Sequence, residues 1–545
     1  MDRKSTLDAL GQQEFDLCII GGGASGAGCA LDAASRGWKV ALIEGGDFAS
    51  GTSSKSTKLI HGGVRYLEQA FKKFDFSQLK QVHHGLQERY ILLKNAPHLA
   101  RPLPILTPVT SFWEGLYYAI GLQIYGWFVS EKDQLPKSKW LSKSAAKKLF
   151  PALNDRFYGA VLYYDGQLDD ARYALELILT AEEKGAVVSN YVACIGFQTA
   201  PNGVIRSALC QDAFQSGSEP FLIRAKAFLN CAGPSSDVIR SFANPGLTPR
   251  IRLSKGVHAV LPIRAGAEAT ALLIPKTKDG RVVFLIPFQG NWLLGTTDEE
   301  VSSPEVEPQL ERQELEYLLE TLNPYLDQPV PASDLLAGFG GYRPLITDTR
   351  VGTKGLLRDH TVEYDAVSGL FSLLGGKWTT YRIMARDAVD QIAGWLGREE
   401  VCQTADIPLF GAQKLDERSW DSWCEAQIIP EDVARHLYLN YGAGAWEVAK
   451  IMQQSKEFAK RILPSFPFTI AEIKYSVQLE KCCTLRDFLA RRIRFEILDW
   501  EATLLAIPIV APVMAMELGW STSEQQQQMD SYTRLLKDFG RRTTI

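Results

Sequence analysis

Gly21, Gly23 and Gly26 stand at the Gly-x-Gly-x-x-Gly spacing that suits a pyrophosphate. Gly21 permits a tight strand-to-helix turn, Gly23 lets a phosphate approach the backbone, and Gly26 lets the helix pack on its strand. A helix starting there offers unpaired N–H groups and a partial positive charge to an anion. Glu44 follows 18 positions after Gly26, where an acid takes ribose hydroxyls. This turn alone reads as an adenine-dinucleotide site and does not separate nicotinamide from flavin. Residues 45–66 come next, rich in Gly, Ser and Thr and ending in His61-Gly62-Gly63-Val64-Arg65-Tyr66. Their backbone N–H groups and hydroxyls suit a flavin and its phosphates, and Arg65 suits a forked grip on an anionic substrate. Gly375-Gly376-Lys377-Trp378-Thr379-Thr380 is a second strand–glycine–helix start suited to an anion.

These groups need elements to hold them. Residues 15–20 form the apolar strand before the first turn, a small-residue helix follows, and Gly37 stops it. Residues 39–43 form the next strand, ending at Glu44. Residues 225–231 run as a strand into Ala232-Gly233-Pro234, a turn suited to the cofactor-facing edge. Residues 370–374 lead into the second glycine site. Residues 253–260, 282–287 and 292–297 alternate as strands, the last two pairing across Gln289-Gly290-Asn291. That antiparallel pattern marks a second domain inserted into the first. Helices are expected at 67–100, 112–130, 140–151, 169–184 and 311–322, the first broken by Pro102, Pro104 and Pro108. From Trp420 onward the pattern is helical throughout.

The chain has 545 residues, enough for several domains and a large core. A net charge of −4 argues against a general nucleic-acid binder. The nine cysteines form no C-x-x-C pair, so neither a zinc site nor a disulfide framework is expected, and this usage fits a reducing compartment. The short polar stretch before the first strand does not read as a signal peptide. Residues 111–130 and 502–516 are apolar but carry glycines or prolines. Both read as buried helices, the first with a membrane surface as its alternative.

The glycine turn at 21–26 and the hydroxyl-rich 52–68 stretch combine with Lys255-Gly256-Val257-His258, Gly295-Thr296-Thr297-Asp298 and Gly375–Arg382. Together they resemble the FAD-dependent glycerol-3-phosphate dehydrogenases over residues 14–410. Leu485–Arg492 extends the likeness into the C-terminal region. Trp378, Ser235 and Tyr125-Gly126-Trp127 depart from the family's usual residues. The resemblance implies an α/β FAD-binding Rossmann-like domain with an interleaved antiparallel-sheet substrate domain and a C-terminal all-α cap. Residues 1–85, 155–245 and 335–405 would form the first, 86–154 and 246–334 the second, and 406–545 the cap.

It further implies hydride transfer from C2 of sn-glycerol 3-phosphate to flavin N5, giving dihydroxyacetone phosphate, with electrons passed to a membrane quinone. An oxygen-using oxidase is the near alternative, although this chain lacks the extra insertion such members tend to carry; a non-catalytic FAD-binding redox sensor is the distant one. His258 is the expected base and Arg343 its partner in catalysis, while Arg65, Arg358 and Lys377 are expected around the substrate. A phosphate dianion calls for several cations and forked donors, and an imidazole suits removal of a hydroxyl proton. Lys377 also suits a charge beside the reduced flavin. The cofactor contacts expected in the first half are Gly21, Gly23, Ser25, Gly26, Glu44, Thr52, Ser53, Lys58, Leu59 and His61. Val192, Gly233, Gly376, Lys377 and Thr379 complete them. The expected setting is the cytoplasmic side, peripheral on the inner face of the cell membrane, with a homodimer possible.

Overall fold

The computed structural model describes residues 2–60, 77–118, 135–215, 217–275, 277, 280–301, 307–347, 360–413 and 416–543. Strand Glu14–Ile20 buries every residue after Glu14. It runs parallel to Phe221–Asn230 on one side and Val40–Ile43 on the other. Leu370–Gly375 and Val187–Ser189 extend the parallel stack outward. Helices Ala24–Ser35, Asp170–Glu183 and Tyr381–Leu396 cover one face. The hairpin Val192–Thr199/Ile205–Asp212 and helix Ser236–Ala243 pack on the other. Burial on both faces is why these strands are unbroken apolar runs.

The second sheet is mostly antiparallel. Strand Ile251–Pro262 pairs with Ala337–Ile346 on one side and with Asn291–Gly295 and Glu299–Val301 on the other. The expected hairpin forms between Val283–Phe288 and Asn291–Gly295. Gln289 and Gly290 both have positive φ, 45° and 85°, as a two-residue turn matched to strand twist requires.

Several boundaries differ from the sequence reading. Strands Gly159–Leu168 and Ala337–Ile346 pair within the second sheet, not the nucleotide-binding one. Leu92, Ala96 and Leu99, placed by sequence with the substrate domain, pack in the core under the parallel strands. The expected helix breakers Pro102, Pro104 and Pro108 lie inside a ten-residue strand, Ala100–Val109. They share one parity, so their missing N–H groups fall along one edge. On the other edge the strand keeps its full register with Gly159–Leu168. Residues 139–142 form a strand before helix Lys143–Leu149, where one helix was expected.

The C-terminal region is helical and packs on one face of the second sheet. Ile473, Phe488, Leu489, Phe495, Ala506, Val510 and Met514 share a core with Leu103, Ile105, Val161, Val260, Ile286 and Phe339. Helix Trp500–Leu518 is the one described helix long and apolar enough to cross a membrane. It buries one face against this sheet and leaves Pro508 and Pro512 exposed on the other.

This cap is also bolted to the nucleotide-binding layer by charge. Arg492 donates to both carboxylate oxygens of Asp47 at 2.7 and 2.9 Å, and Arg491 donates to the same group. Asp47 is buried, yet the two guanidiniums outweigh burial and hold it well below the usual carboxylate range. Replacing Asp47 by Ala leaves two buried guanidiniums short of their acid. The expected cost is about 3–5 kcal/mol, read as a lowered urea midpoint with an unchanged m-value.

Candidate active site

The carboxyl ends of the parallel strands bring Gly21, Glu44, Gly233 and Gly376 to one edge of the sheet, where open α/β sheets bind ligands. Gly21 has φ 116°. A Cβ on Gly26 would lie 1.8 Å from the Gly21 carbonyl oxygen, so only glycine permits this close packing. The Gly22 N–H donates to Glu44 Oε2 at 2.7 Å and the Gly46 N–H to Oε1 at 2.9 Å. Burial raises the proton affinity of Glu44 while these amides oppose it. Val192 stands beside this acid and donates its N–H to the Glu44 carbonyl at 2.7 Å. Ser25 lies in the first turn of the helix, with Gly23 as its N-cap. Gly233 and Gly376 take φ of 55° and 87° in the turns after their strands. Lys377 caps the short turn 378–380 that contains buried Thr379. This glycine cradle, which a Cβ would fill, with a carboxylate anchored beside it, fits an adenine dinucleotide.

The segment 52–60 ties this edge to everything else. Thr52 donates its hydroxyl to the Tyr342 carbonyl in the second sheet. Ser53 Oγ accepts from the Ala24 N–H at 2.9 Å, on the glycine turn itself. The Ser53 carbonyl accepts from Trp378 Nε1 at 2.8 Å. Trp378, a departure from the family's usual residue, is thus a strut between the two glycine sites. Lys55 pairs with Glu307, and the Ser56 N–H and hydroxyl both donate to Asp170 Oδ2.

Lys58, read in sequence as a cofactor contact, commits its ammonium inside the protein. It donates to Asp170 Oδ1 at 2.8 Å and to the Ser54 carbonyl at 3.3 Å, and it is fully buried. Burial and the neighbouring Arg494 push its pKa down to about 8. Leu59 turns its side chain into the cap-facing core.

Thr57 delivers the segment to the expected base: its Oγ1 lies 3.0 Å from His258 Nε2. His258 is buried and stacked on Phe339, ring centroids 4.8 Å apart. Its Nδ1 has no hydrogen-bond partner among the described residues. Burial, then Lys58 and Arg343, push its pKa down to about 3, so the resting ring is neutral.

Arg343 sits on the neighbouring strand, in register with Ser254, two pairs along from Gly256 and four from His258. Alternation places Ser254, Gly256 and His258 on one face. A Cβ on Gly256 would lie 2.3 Å from Arg343 Nη2, and one on Gly295 would lie 2.3 Å from His258 Cδ2. Two glycines therefore make the seats of the two expected catalytic side chains. Arg343 donates to Thr296 Oγ1, the Thr297 carbonyl and Asp298 Oδ1 at 2.9, 3.1 and 3.2 Å, and keeps about a third of its side chain exposed.

The structure thus unites Gly21, Gly23, Ser25, Gly26, Glu44, Val192, Gly233, Gly376, Lys377 and Thr379 on the cofactor edge. Thr52 and Ser53 join them to His258 and Arg343. Arg65, Arg358 and His61 lie outside the described residues, as do residues 67–76 of the helix expected at 67–100 and residues 119–130 of the one expected at 112–130. Sequence reasoning gave no separate role to Thr57, Gly256 and Gly295, which it quoted only within motifs, and none to Asp170. The signal for the glycines was their spacing: each stands where an alternating strand needs room for a large neighbour.

A family model described as FAD dependent oxidoreductase matches residues 16–382, and the C-terminal domain of alpha-glycerophosphate oxidase matches residues 402–525. A probable mitochondrial glycerol-3-phosphate dehydrogenase of Caenorhabditis elegans is 41% identical over 97% of this chain and 74% of its own length. The chain belongs to the FAD-dependent glycerol-3-phosphate dehydrogenase family. The human mitochondrial glycerol-3-phosphate dehydrogenase is 38% identical, covering 96% of this chain and 73% of its own. A glycerol-3-phosphate dehydrogenase of Bacillus halodurans, solved in complex with FAD, superposes with a TM-score of 0.80 at 28% identity, over 98% of this chain and 97% of that one. The cofactor of the family is FAD, and the cradle described above fits it.

In this family setting the seat of Arg343 is directly testable. Gly256→Ala pushes against the far end of a flexible, one-third-exposed side chain, so the fold is expected to survive with its thermal midpoint little changed. Displacing the guanidinium by about 1 Å is expected to lower kcat/KM about 10²-fold, measured by steady-state dye reduction.

Proposed function

We propose that the protein oxidises sn-glycerol 3-phosphate to dihydroxyacetone phosphate and passes the electrons to a quinone. The carrying observation is that a neutral buried imidazole and a one-third-exposed guanidinium share one sheet face, joined through Thr57 to the loop that touches the glycine turn. FAD, when bound by the glycine cradle, Glu44 and the 52–54 loop, supplies the acceptor for the C2 hydride. The chain's own residues do the rest. Arg343, aided by Arg65, Arg358 and Lys377, holds the phosphate and orients the alcohol. His258 takes the hydroxyl proton.

Electrostatics gives this base a condition. Burial, and after it Lys58 and Arg343, disfavour imidazolium in the resting site. A bound phosphate dianion offsets that positive field, so proton affinity at His258 rises when substrate is present. The base is thus strengthened where and when it is needed.

An anaerobic titration tests the reading. Glycerol 3-phosphate is expected to bleach the flavin, while glycerol is not; bleaching by unphosphorylated alcohols alone would sink the assignment. His258→Gln is expected to keep bound FAD and lose about 10²–10⁴-fold in kcat. The C-terminal domain's likeness to an oxidase domain keeps oxygen as a second acceptor reading. Reduction of a quinone analogue without peroxide release separates the two.

Peripheral membrane association is the companion proposal. Phe112, Trp113, Tyr117 and Tyr158 are more than half exposed, with Leu116 and Trp140 exposed beside them. Phe112, Trp113, Trp140 and Tyr158 lie in ring contact as one patch. Aromatic side chains of this kind settle at lipid headgroups. A Phe112→Ser/Trp113→Ser variant is expected to lose most of its flotation with lipid vesicles while its bleaching by substrate in solution is unchanged; undiminished flotation would remove the patch from that role.

A further inference from the structure

The cap carries a residue aimed at the cofactor loop. Arg494 is 1% exposed and lies in a short buried connection between residues 487–492 and 495–497. Its guanidinium donates to Asp170 Oδ1 at 2.8 Å and to the Ser54 carbonyl at 3.1 Å. Lys58 donates to the same two oxygens. Two cations, one from the loop and one from the cap, therefore grip the same carboxylate and the same peptide.

Backbone geometry points the same way. Arg494 has φ 65° and Lys58 φ 60°, both in the left-handed region. A non-glycine residue is strained there, and such strain persists only where the surroundings over-determine it. At both positions the strained backbone serves the same pair of acceptors. Ser54 lies between Ser53, which touches the glycine turn, and the Ser56–Thr57 pair, which touches Asp170 and His258. Fixing the Ser54 peptide therefore fixes the aim of its neighbours on both sides.

We propose that Arg494 is a positioning residue: through the Ser54 carbonyl and Asp170 it sets the loop that holds the flavin on one side and orients His258 on the other. The cap is then a working part of the cofactor site, although the cofactor edge itself is built from the other layer. The proposal rests on FAD binding by the loop, and its readouts do not depend on which alcohol is oxidised.

The test uses the full-length protein and FAD itself. Arg494→Lys keeps a cation beside Asp170 but is shorter and loses the Nη1 bond to the Ala490 carbonyl and the Nε pairing with Asp169 that aim the guanidinium at the Ser54 carbonyl. It is expected to weaken FAD binding 10- to 100-fold, measured by quenching of flavin fluorescence on reconstitution, and to shift the visible absorption bands of the bound flavin. Asn291→Ala is the control, because Asn291 donates to the Leu498 carbonyl at 3.0 Å and loosens the cap without touching the loop. It is expected to lower the thermal midpoint of the apoprotein while leaving flavin affinity and spectrum unchanged. If Arg494→Lys behaves like Asn291→Ala, with a lower midpoint but unaltered FAD affinity and spectrum, Arg494 is glue and the proposal is overturned. Arg494→Met, which removes the charge, is expected to bind FAD still more weakly than Arg494→Lys; equal or tighter binding also overturns it.

Discussion

Asp170 is the constraint on which the site depends. It is the first residue of helix Asp170–Glu183, fully buried, and surrounded by donors: Lys58, Arg494, the Ser56 hydroxyl and the Ser56 N–H. Burial alone would raise its proton affinity, but Lys58 and Arg494 outweigh burial and keep it charged. The helix N-terminus adds a favourable field. A buried carboxylate with so many committed partners cannot be shared loosely, because removing any cation strands the rest. The arrangement therefore fixes position more than it adds net stability: it holds a loop of small polar residues that has little packing of its own.

From that point three layers meet. The parallel sheet gives the glycine turn, the second sheet gives His258 and Arg343, and the cap gives Arg494, Arg491 and Arg492. Segment 52–60 touches all three and is polar at almost every position, so hydrophobic burial cannot place it. Directional bonds do so instead. The cap's apolar contact with the second sheet supplies the bulk of the docking, and its buried arginines supply the register.

Much of this was legible in the chain. The βαβ start was readable because apolar runs, glycines and an acid coincide in register, and the hairpin at 283–295 because Gln289-Gly290 sits between alternating strands. The resemblance added His258 and Arg343. What stayed hidden was pairing over long distances. No local pattern tells that Asp170 meets Lys58, 112 positions away, and Arg494, 324 positions away. Strand Ala100–Val109 misled because proline punctuates helices more strongly than it punctuates a strand whose second edge is paired only briefly, at Ile105 and Leu106 with Ala271 and Leu272. Lys58 misled for a related reason. A lysine in a cofactor loop suggests a phosphate contact, whereas burial directs its charge to an internal acid.

The neutral His258 shows how such constraints become chemistry. In the proposed mechanism His258 is a base kept weak at rest, by burial first and by Lys58 and Arg343 second. Of the two cations, Lys58 is buried against Asp170, so the part-exposed Arg343, which spends one bond on Asp298, is the one an organic phosphate can meet. Under that proposal a bound phosphate offsets the cationic part of the penalty and raises the imidazole's proton affinity, while the larger part, burial, stays. An alcohol without a phosphate leaves the field intact and the base weak. Under that proposal selectivity for phosphorylated alcohols belongs to the proton-transfer step as well as to binding, with Thr57, at 3.0 Å from Nε2, aiming the ring.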